Sequence, residues 1–314
     1  AAIDAVVDAL GLGPGDEVIL PTFTIISCVA QIIRAGATPV VVDSDPVTWC
    51  MNVDQIEQKI TPRTKAIMVV HMYGLPVDMA PIMALSDRHG IAVIEDASQA
   101  HGQSYFGRPC GSFGLVSTFS FYPNKVITTG EGGMIVTDDA GFAETCRGLR
   151  NLCFTPERRF VHERLGWNLR MTNLQAALGV AQLEAIERTL ERRKAIGRRY
   201  AAQLSDVAAL QLPIDRIPAA ENHYWVFGVV LNDEWPADAA AVAQQLGVRG
   251  VGTRPFFYPL HQQPVLRRHG LFAGESYPVA ERLYRRGFYL PGGTGITDDQ
   301  IDQVCDIVRT IVPA

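Results

Sequence analysis

A basic surplus is missing from this 314-residue chain: 28 Lys and Arg face 33 Asp and Glu, for a net charge of −5. Without a broad cationic surface, nucleic acid is not expected as a partner. The six cysteines (28, 50, 110, 146, 153 and 305) contain no C-x-x-C pair. They read as reduced, mostly buried thiols of a cytoplasmic protein. No apolar run reaches membrane-spanning length and no signal peptide opens the chain, so no membrane association is expected. No cluster of metal-ligand spacing is present, and there is no internal repeat or low-complexity segment. The start lacks both an initiator methionine and a helix cap. Residues 1–10 open in mid-helix, with apolar positions 3, 6, 7 and 10 on one face, as if an amino-terminal segment were missing.

What is there is enough for a sizeable core: 47% of the residues are hydrophobic. Apolar strand patterns at 17–20, 40–43 and 66–70 alternate with helical patterns through 34 (capped by Thr24), at 54–60 and at 78–89. That alternation predicts an α/β fold with a mostly parallel sheet and right-handed crossovers. A helix is expected from Asp138 to Arg150, then irregular chain over 151–167. A long helical stretch follows over 171–204, its positions 174, 177, 178, 181, 183, 186 and 190 reading as core and Glu191-Arg192-Arg193-Lys194 as a solvated face. Beyond it the pattern is α+β: strands at 224–231 and 250–254, helices at 237–246, 278–286 and 297–312. The expected division is a large domain over 1–195 and a small carboxy-terminal domain over 196–314.

The chemistry concentrates in Ser120-Phe121-Tyr122-Pro123-Asn124-Lys125 and the glycine-ended loop after it. A lysine between two short buried strands is unusual, because lysine ordinarily keeps its ammonium in water. In apolar surroundings its pKa falls and the amine becomes a nucleophile able to form a Schiff base. One strand earlier, residues 91–94 run into Glu95 and Asp96 at a carboxyl end, where open α/β sheets bind ligands. A lysine and an aspartate so placed fit pyridoxal phosphate, the carboxylate keeping the pyridine nitrogen protonated. At roughly 4 Å and an effective dielectric near 20 such a pair is worth about 4 kcal/mol, or about three pKa units. His71 and His101 read as satisfied loop histidines.

At these residues the chain resembles the DegT/DnrJ/EryC1/StrS sugar aminotransferases, fold type I enzymes. The matching motifs include Gly13-Pro14-Gly15-Asp16-Glu17-Val18, Pro21-Thr22-Phe23-Thr24, Gly36-Ala37-Thr38-Pro39-Val40, Glu95-Asp96-Ala97, Phe119 to Lys125, Gly130-Glu131-Gly132-Gly133 and Asn168 to Ala177. The resemblance implies a cofactor, pyridoxal 5′-phosphate, that passes through its pyridoxamine (PMP) form. It implies Lys125 as the Schiff-base lysine, Asp96 on the ring nitrogen, Gln99 on the 3′ oxygen and Ser120 on the phosphate. Asn168 would reach the phosphate of a neighbouring subunit, giving a homodimer with shared active sites. Arg170, Arg254, Tyr258 and His261 are candidates for substrate contacts. Two features depart from the family pattern: no Gly-Thr pair precedes the first helix, and Ile25 stands where an aromatic residue usually stacks on the ring.

The runs 128–134, 150–154 and 253–257 most resemble the perosamine synthases of that family. This implies transfer of an amino group from L-glutamate to C4 of a nucleotide-linked 4-keto-6-deoxy sugar, with GDP-4-keto-6-deoxymannose, giving GDP-perosamine, as the best match. Alternatives are a 3-keto sugar, a dTDP- or UDP-linked sugar, an aminocyclitol ketone, or a catalytically silent homologue.

Overall fold

The computed structural model describes residues 1–155 and 158–313. Pro156 and Glu157, within the stretch 151–167 expected to be irregular, lie outside the described residues, as does Ala314. The first half of the chain alternates: α1 (Ala2–Ala9), β1 (Glu17–Pro21), α2 (Ser27–Arg34), β2 (Thr38–Val42), β3 (Thr64–Val70), α3 (Met79–His89) and β4 (Ala92–Asp96). A small hairpin, β5 (Ser104–Tyr105) and β6 (Arg108–Pro109), precedes β7 (Val116–Ser120), β8 (Gly133–Val136) and α4 (Ala140–Arg150). The main sheet runs β2-β1-β3-β4-β7-β8. Its first five strands are parallel and β8 closes the edge antiparallel to β7. Strands β1 and β3 are buried almost throughout, as expected of parallel strands covered on both faces. The parallel strands all end at one edge, and Asp96 and Ser120 lie there at the ends of β4 and β7.

Local chemistry explains where several elements begin. Asp139 caps α4 by accepting from the Phe142 N–H. Thr172 opens α5 (Asn173–Leu183) with a reciprocal capping box to Gln175. Thr24 does not cap α2 as expected: the helix starts three residues later, and the Thr24 hydroxyl pairs with the Cys28 thiol. The region 54–60 forms two 3-10 turns rather than a helix.

The long helix expected over 171–204 is two helices, α5 and α6 (Ile186–Leu204), broken at Glu184–Ala185. Its predicted core is also corrected in part: no residue of α5 is buried, Leu174 is 83% and Leu178 57% exposed. The apolar face is real, but among the described residues it is left uncovered. The expected domain boundary at 195 falls inside α6. From Ile196 onward that helix packs Ile196, Tyr200 and Leu204 into a second core. This core is built on β9 (Leu210–Gln211), β12 (Phe227–Leu231), β13 (Arg254–Pro255) and β14 (Gly287–Leu290), ordered β13-β14-β12-β9; a hairpin, β10 (Arg216–Ile217) and β11 (Ala220–Glu221), intervenes. Helices α7 (Ala239–Val248) and α10 (Asp298–Ile311) complete it, while α8 (Pro264–Arg268) and α9 (Pro278–Arg286) bury Leu266, Ala280 and Leu283 in the first core. Among the described residues no helix is long and apolar enough to cross a membrane.

Candidate active site

Strand alternation sends the two neighbouring acids of β4 to opposite faces. Glu95 is fully buried and organises the turn before β7, accepting N–H bonds from Gly111 (2.7 Å), Phe113 (2.5 Å) and Gly114 (2.8 Å). It also meets His71 Nε2 at 3.2 Å. The Val77 N–H donates to His71 Nδ1 at 3.1 Å, so that ring is satisfied on both sides, as expected. Asp96 faces the other way, 3% exposed. Its carboxylate accepts from the Ser98 N–H at 3.0 Å and from the Cys28 thiol at 3.3 Å.

Lys125 sits in a loop that its own backbone ties shut. The Lys125 N–H donates to the Tyr122 carbonyl, Thr129 N–H to Phe121, and Phe121 N–H to Gly132. Val126 and Ile127 are buried anchors. Gln182 of α5 clamps Thr128 from outside, accepting from its N–H at 3.1 Å and donating to its carbonyl at 2.6 Å. The half-buried amine is therefore presented from a fixed loop. Burial pushes it down from 10.5 to about 8, against the pull of the Asp96 carboxylate. At pH 7 that frees about 300 times more unprotonated amine than an ordinary lysine offers. A lowered lysine beside a buried carboxylate, at the carboxyl end of a parallel sheet, is the donor set that pyridoxal phosphate requires.

The remaining candidates divide. Gln99 is buried, and its amide oxygen accepts from the Tyr73 N–H at 2.9 Å, which leaves the amide nitrogen to donate elsewhere. Ser120 pairs with Gly133 across β7 and β8. A Cβ on Gly133 would meet Ala2 at 3.3 Å, so the start of α1 lies against this strand end, a favourable place for an anion. Asn168 and Arg170 are exposed, and the Asn168 backbone pairs with Asn151; no hydrogen bond among the described residues joins either to the Lys125 loop. Arg254 is exposed at the start of β13, and Tyr258 stacks edge-on with Tyr284 at 4.6 Å. His261 is fully buried, with Nδ1 on the Thr22 hydroxyl (2.9 Å) and Nε2 on Glu281 (3.1 Å). Both nitrogens are used, so it braces the wall instead of offering a free edge to substrate. Ile25 is 44% exposed.

Three side chains near Lys125 escaped the sequence reading. Cys28 was one buried thiol among six, and nothing in its local pattern points at Asp96. Trp225 read as a strand residue, yet its ring lies 3.8 Å from Lys125 Nζ. His101 was expected to be satisfied; it is buried against Phe119 and Phe121 with neither ring nitrogen hydrogen-bonded to a side chain. Burial, reinforced by the charges of Lys125 and Arg193, holds it down to about 4, so it is neutral at pH 7.

Comparison with known proteins gives a consistent result. The family model described as the DegT/DnrJ/EryC1/StrS aminotransferase family matches residues 1–309. A protein of Caulobacter vibrioides named GDP-perosamine synthase is 40% identical over 94% of this chain and 79% of its own length. A protein of Acidithiobacillus ferrooxidans named UDP-N-acetyl-3-dehydro-alpha-D-glucosamine 3-aminotransferase is 39% identical over 96% of this chain and 79% of its own. A solved structure titled as a putative sugar aminotransferase from Streptococcus pneumoniae, PLP-form, superposes with a TM-score of 0.90 at 25% identity, covering 99% of this chain and 84% of that one.

Proposed function

The chain belongs to the DegT/DnrJ/EryC1/StrS aminotransferase family, and from that premise we propose that it moves an amino group from L-glutamate to C4 of a GDP-linked 4-keto-6-deoxy sugar. The observation that carries the chemistry is the lowered, loop-held amine of Lys125 beside the buried carboxylate of Asp96. Pyridoxal phosphate, when bound, supplies an aldehyde for amines, a ring that takes up carbanion charge and, in its pyridoxamine form, the amino group to be delivered. Lys125 is the residue to meet the aldehyde, Asp96 the ring nitrogen, Gln99 the ring hydroxyl, and Ser120 with the start of α1 the phosphate.

Each residue then has a task of its own. Asp96, whose carboxylate accepts from Cys28 and Ser98, would be the partner of the cofactor's ring nitrogen. Lys125 would act as the general base that takes a proton from the amino donor's α-carbon. Its position near pH 8 suits it both to accept and to return a proton at neutral pH. Arg170 and Arg254 are cations available to a carboxylate or phosphate. Asn168 serves the neighbouring site in a homodimer, and the uncovered apolar face of α5 supports that pairing.

The 40% likeness to a protein named GDP-perosamine synthase supports GDP-4-keto-6-deoxymannose as substrate. The nearly equal likeness to a UDP-linked 3-aminotransferase supports, as the second reading, a 3-keto UDP-sugar. Incubating the loaded enzyme with L-glutamate and each ketosugar, and weighing the products by mass spectrometry, decides. We expect the GDP-linked 4-ketosugar to be aminated with a kcat/KM at least about 100-fold above the UDP-linked 3-ketosugar; the opposite order would overturn the assignment.

A further inference from the structure

Lys125 is touched from the second sheet's side as well as from the Asp96 side. Trp225, 4% exposed, precedes β12 and lays its ring 3.8 Å from Lys125 Nζ. Its indole N–H donates to the Asn124 carbonyl at 2.9 Å, the residue adjacent to the lysine. Its own carbonyl accepts from Arg193 Nη1 at 2.7 Å. Arg193, on α6, is buried and has no carboxylate in ion-pair reach among the described residues; burial alone holds it down to about 10. Burying a cation that no anion compensates is expensive, and the contact it makes here is to the backbone that carries the indole.

The backbone at this point is itself constrained. Tyr224 adopts a left-handed φ of 50°, a conformation that persists only where the surroundings over-determine it. Asn222 accepts from the Tyr224 N–H at 2.7 Å, and the Tyr224 ring presses on α6 at Gly197, where a Cβ would lie 2.3 Å from it. Glycine is the residue that lets the ring in. Asn222, Gly197 and Arg193 thus fix the direction in which the next side chain leaves the chain.

We propose that Trp225 is a positioning residue for the reactive amine: its indole face seats the Lys125 ammonium, and Arg193 holds the indole in place. The ring quadrupole favours the charged form of an amine over its face, so the seat operates whenever Lys125 carries a proton and is free of the cofactor. It keeps the amine beside the reacting carbon between accepting a proton and returning it. The other groups facing the amine are Asp96 on β4, Cys28 on α2 and His101 after β4. Arg193 and His223 lie behind them, His223 neutral because burial holds it down to about 3. The inference rests on the assignment of Lys125 as the reactive amine.

The test replaces tryptophan biosynthetically with fluorinated tryptophans, which weaken the ring face while preserving shape and N–H. Lys125 is the lysine in cation contact with a tryptophan among the described residues. In the full chain freed of cofactor, the pH-dependence of reductive methylation of Lys125 is followed by peptide mass spectrometry; in the loaded enzyme, the pH profile of kcat is recorded. We expect the methylation midpoint, near 8 in the unmodified protein, to fall stepwise with fluorine number, by about half a pH unit in all, and the acid limb of kcat to follow. An unmoved midpoint would overturn the seat while leaving the lysine assignment intact. A midpoint near 10.5 in the unmodified protein would overturn both. Arg193→Met should abolish the fluorine dependence and Arg193→Lys, which keeps a donor, should retain it; full dependence in Arg193→Met, or its loss in Arg193→Lys, removes Arg193 from the proposal.

Discussion

The thiol of Cys28 donates to the carboxylate of Asp96 across 3.3 Å, both side chains being buried. Burial first, and then the Asp96 charge, pushes the thiol well above its ordinary range, so Cys28 stays a neutral donor at any pH at which the enzyme works. A hydrogen bond to a charged acceptor contributes about 1.5–3 kcal/mol with a good donor, and less with sulfur. Cys28→Ser should therefore keep cofactor affinity near that of the wild type. Cys28→Ala, which removes the donor, should weaken it about three- to tenfold. Titration of the cofactor-free protein with pyridoxal phosphate, read by absorbance, measures both; equal affinities in the two variants would remove Cys28 from the site.

Lys125 is costly to the fold. Below about pH 8 its ammonium must be held charged in a site that disfavours charge, whereas the unfolded chain keeps the proton up to about 10.5. The native state therefore loses its proton first, and the penalty is complete below pH 8 and relieved as the pH rises from 8 to 10.5. Lys125→Met should stabilise the cofactor-free protein at pH 7 by about 1–3 kcal/mol, discounted for its partial exposure. The gain should shrink toward pH 10, while turnover falls by at least about 10²–10⁴-fold. Urea denaturation at pH 7 and pH 10 checks the first part. A variant less stable than wild type at pH 7 would show that the amine is not held against its preference.

Glu95 obeys the opposite sign. Burial opposes its charge, but His71 and the N–H groups of Gly114 and Gly111 outweigh that and hold its carboxyl below 4.5. Its contribution is present above 4.5 and is lost as the pH falls through the lowered value. Glu95→Gln keeps the shape but loses the anion that three N–H groups and His71 share. It should cost about 2–4 kcal/mol at pH 7, and the gap to wild type should narrow below pH 4.5. Thermal unfolding of both proteins across pH 3–7 is the measurement, and a gap that stays constant over that range would contradict the account.

Much of this was legible in the chain itself. The β-α alternation exposed the parallel sheet because each buried strand is a short apolar run, and the Lys125 and Asp96 stretches stood out as charges at strand ends. What was not legible is what depends on distant partners. His261 reads as a site residue next to Tyr258, but it is consumed by Thr22 and Glu281, 239 and 20 residues away in sequence. Trp225 reaches Asn124 across 101 residues, and no local pattern encodes that approach. The apolar positions of α5 read as core because periodicity reports that a face wants cover, not which chain supplies it.

That face leads to the last prediction. Leu174, Leu178, Val180 and Leu183 of α5 are all more than half exposed, and Trp167 and Leu169, on either side of Asn168 in the sequence, are exposed as well. A patch of this kind is rarely left to water, and a second copy related by a two-fold axis is the commonest cover. Because Gln182 of the same helix clamps the Lys125 loop, loss of the partner should reach the active site. Leu174→Arg combined with Leu178→Arg should give a folded monomer by light scattering, with little activity. The sharing of sites is tested by mixing two inactive proteins. If Asn168 serves the neighbouring site, a hybrid of Lys125→Met with Asn168→Ala puts both defects in one site and leaves the other whole. Random reassortment makes half the dimers hybrid, so about a quarter of wild-type activity should return. No recovery, with hybrids shown to form by native mass spectrometry, would place Asn168 outside the neighbour's site.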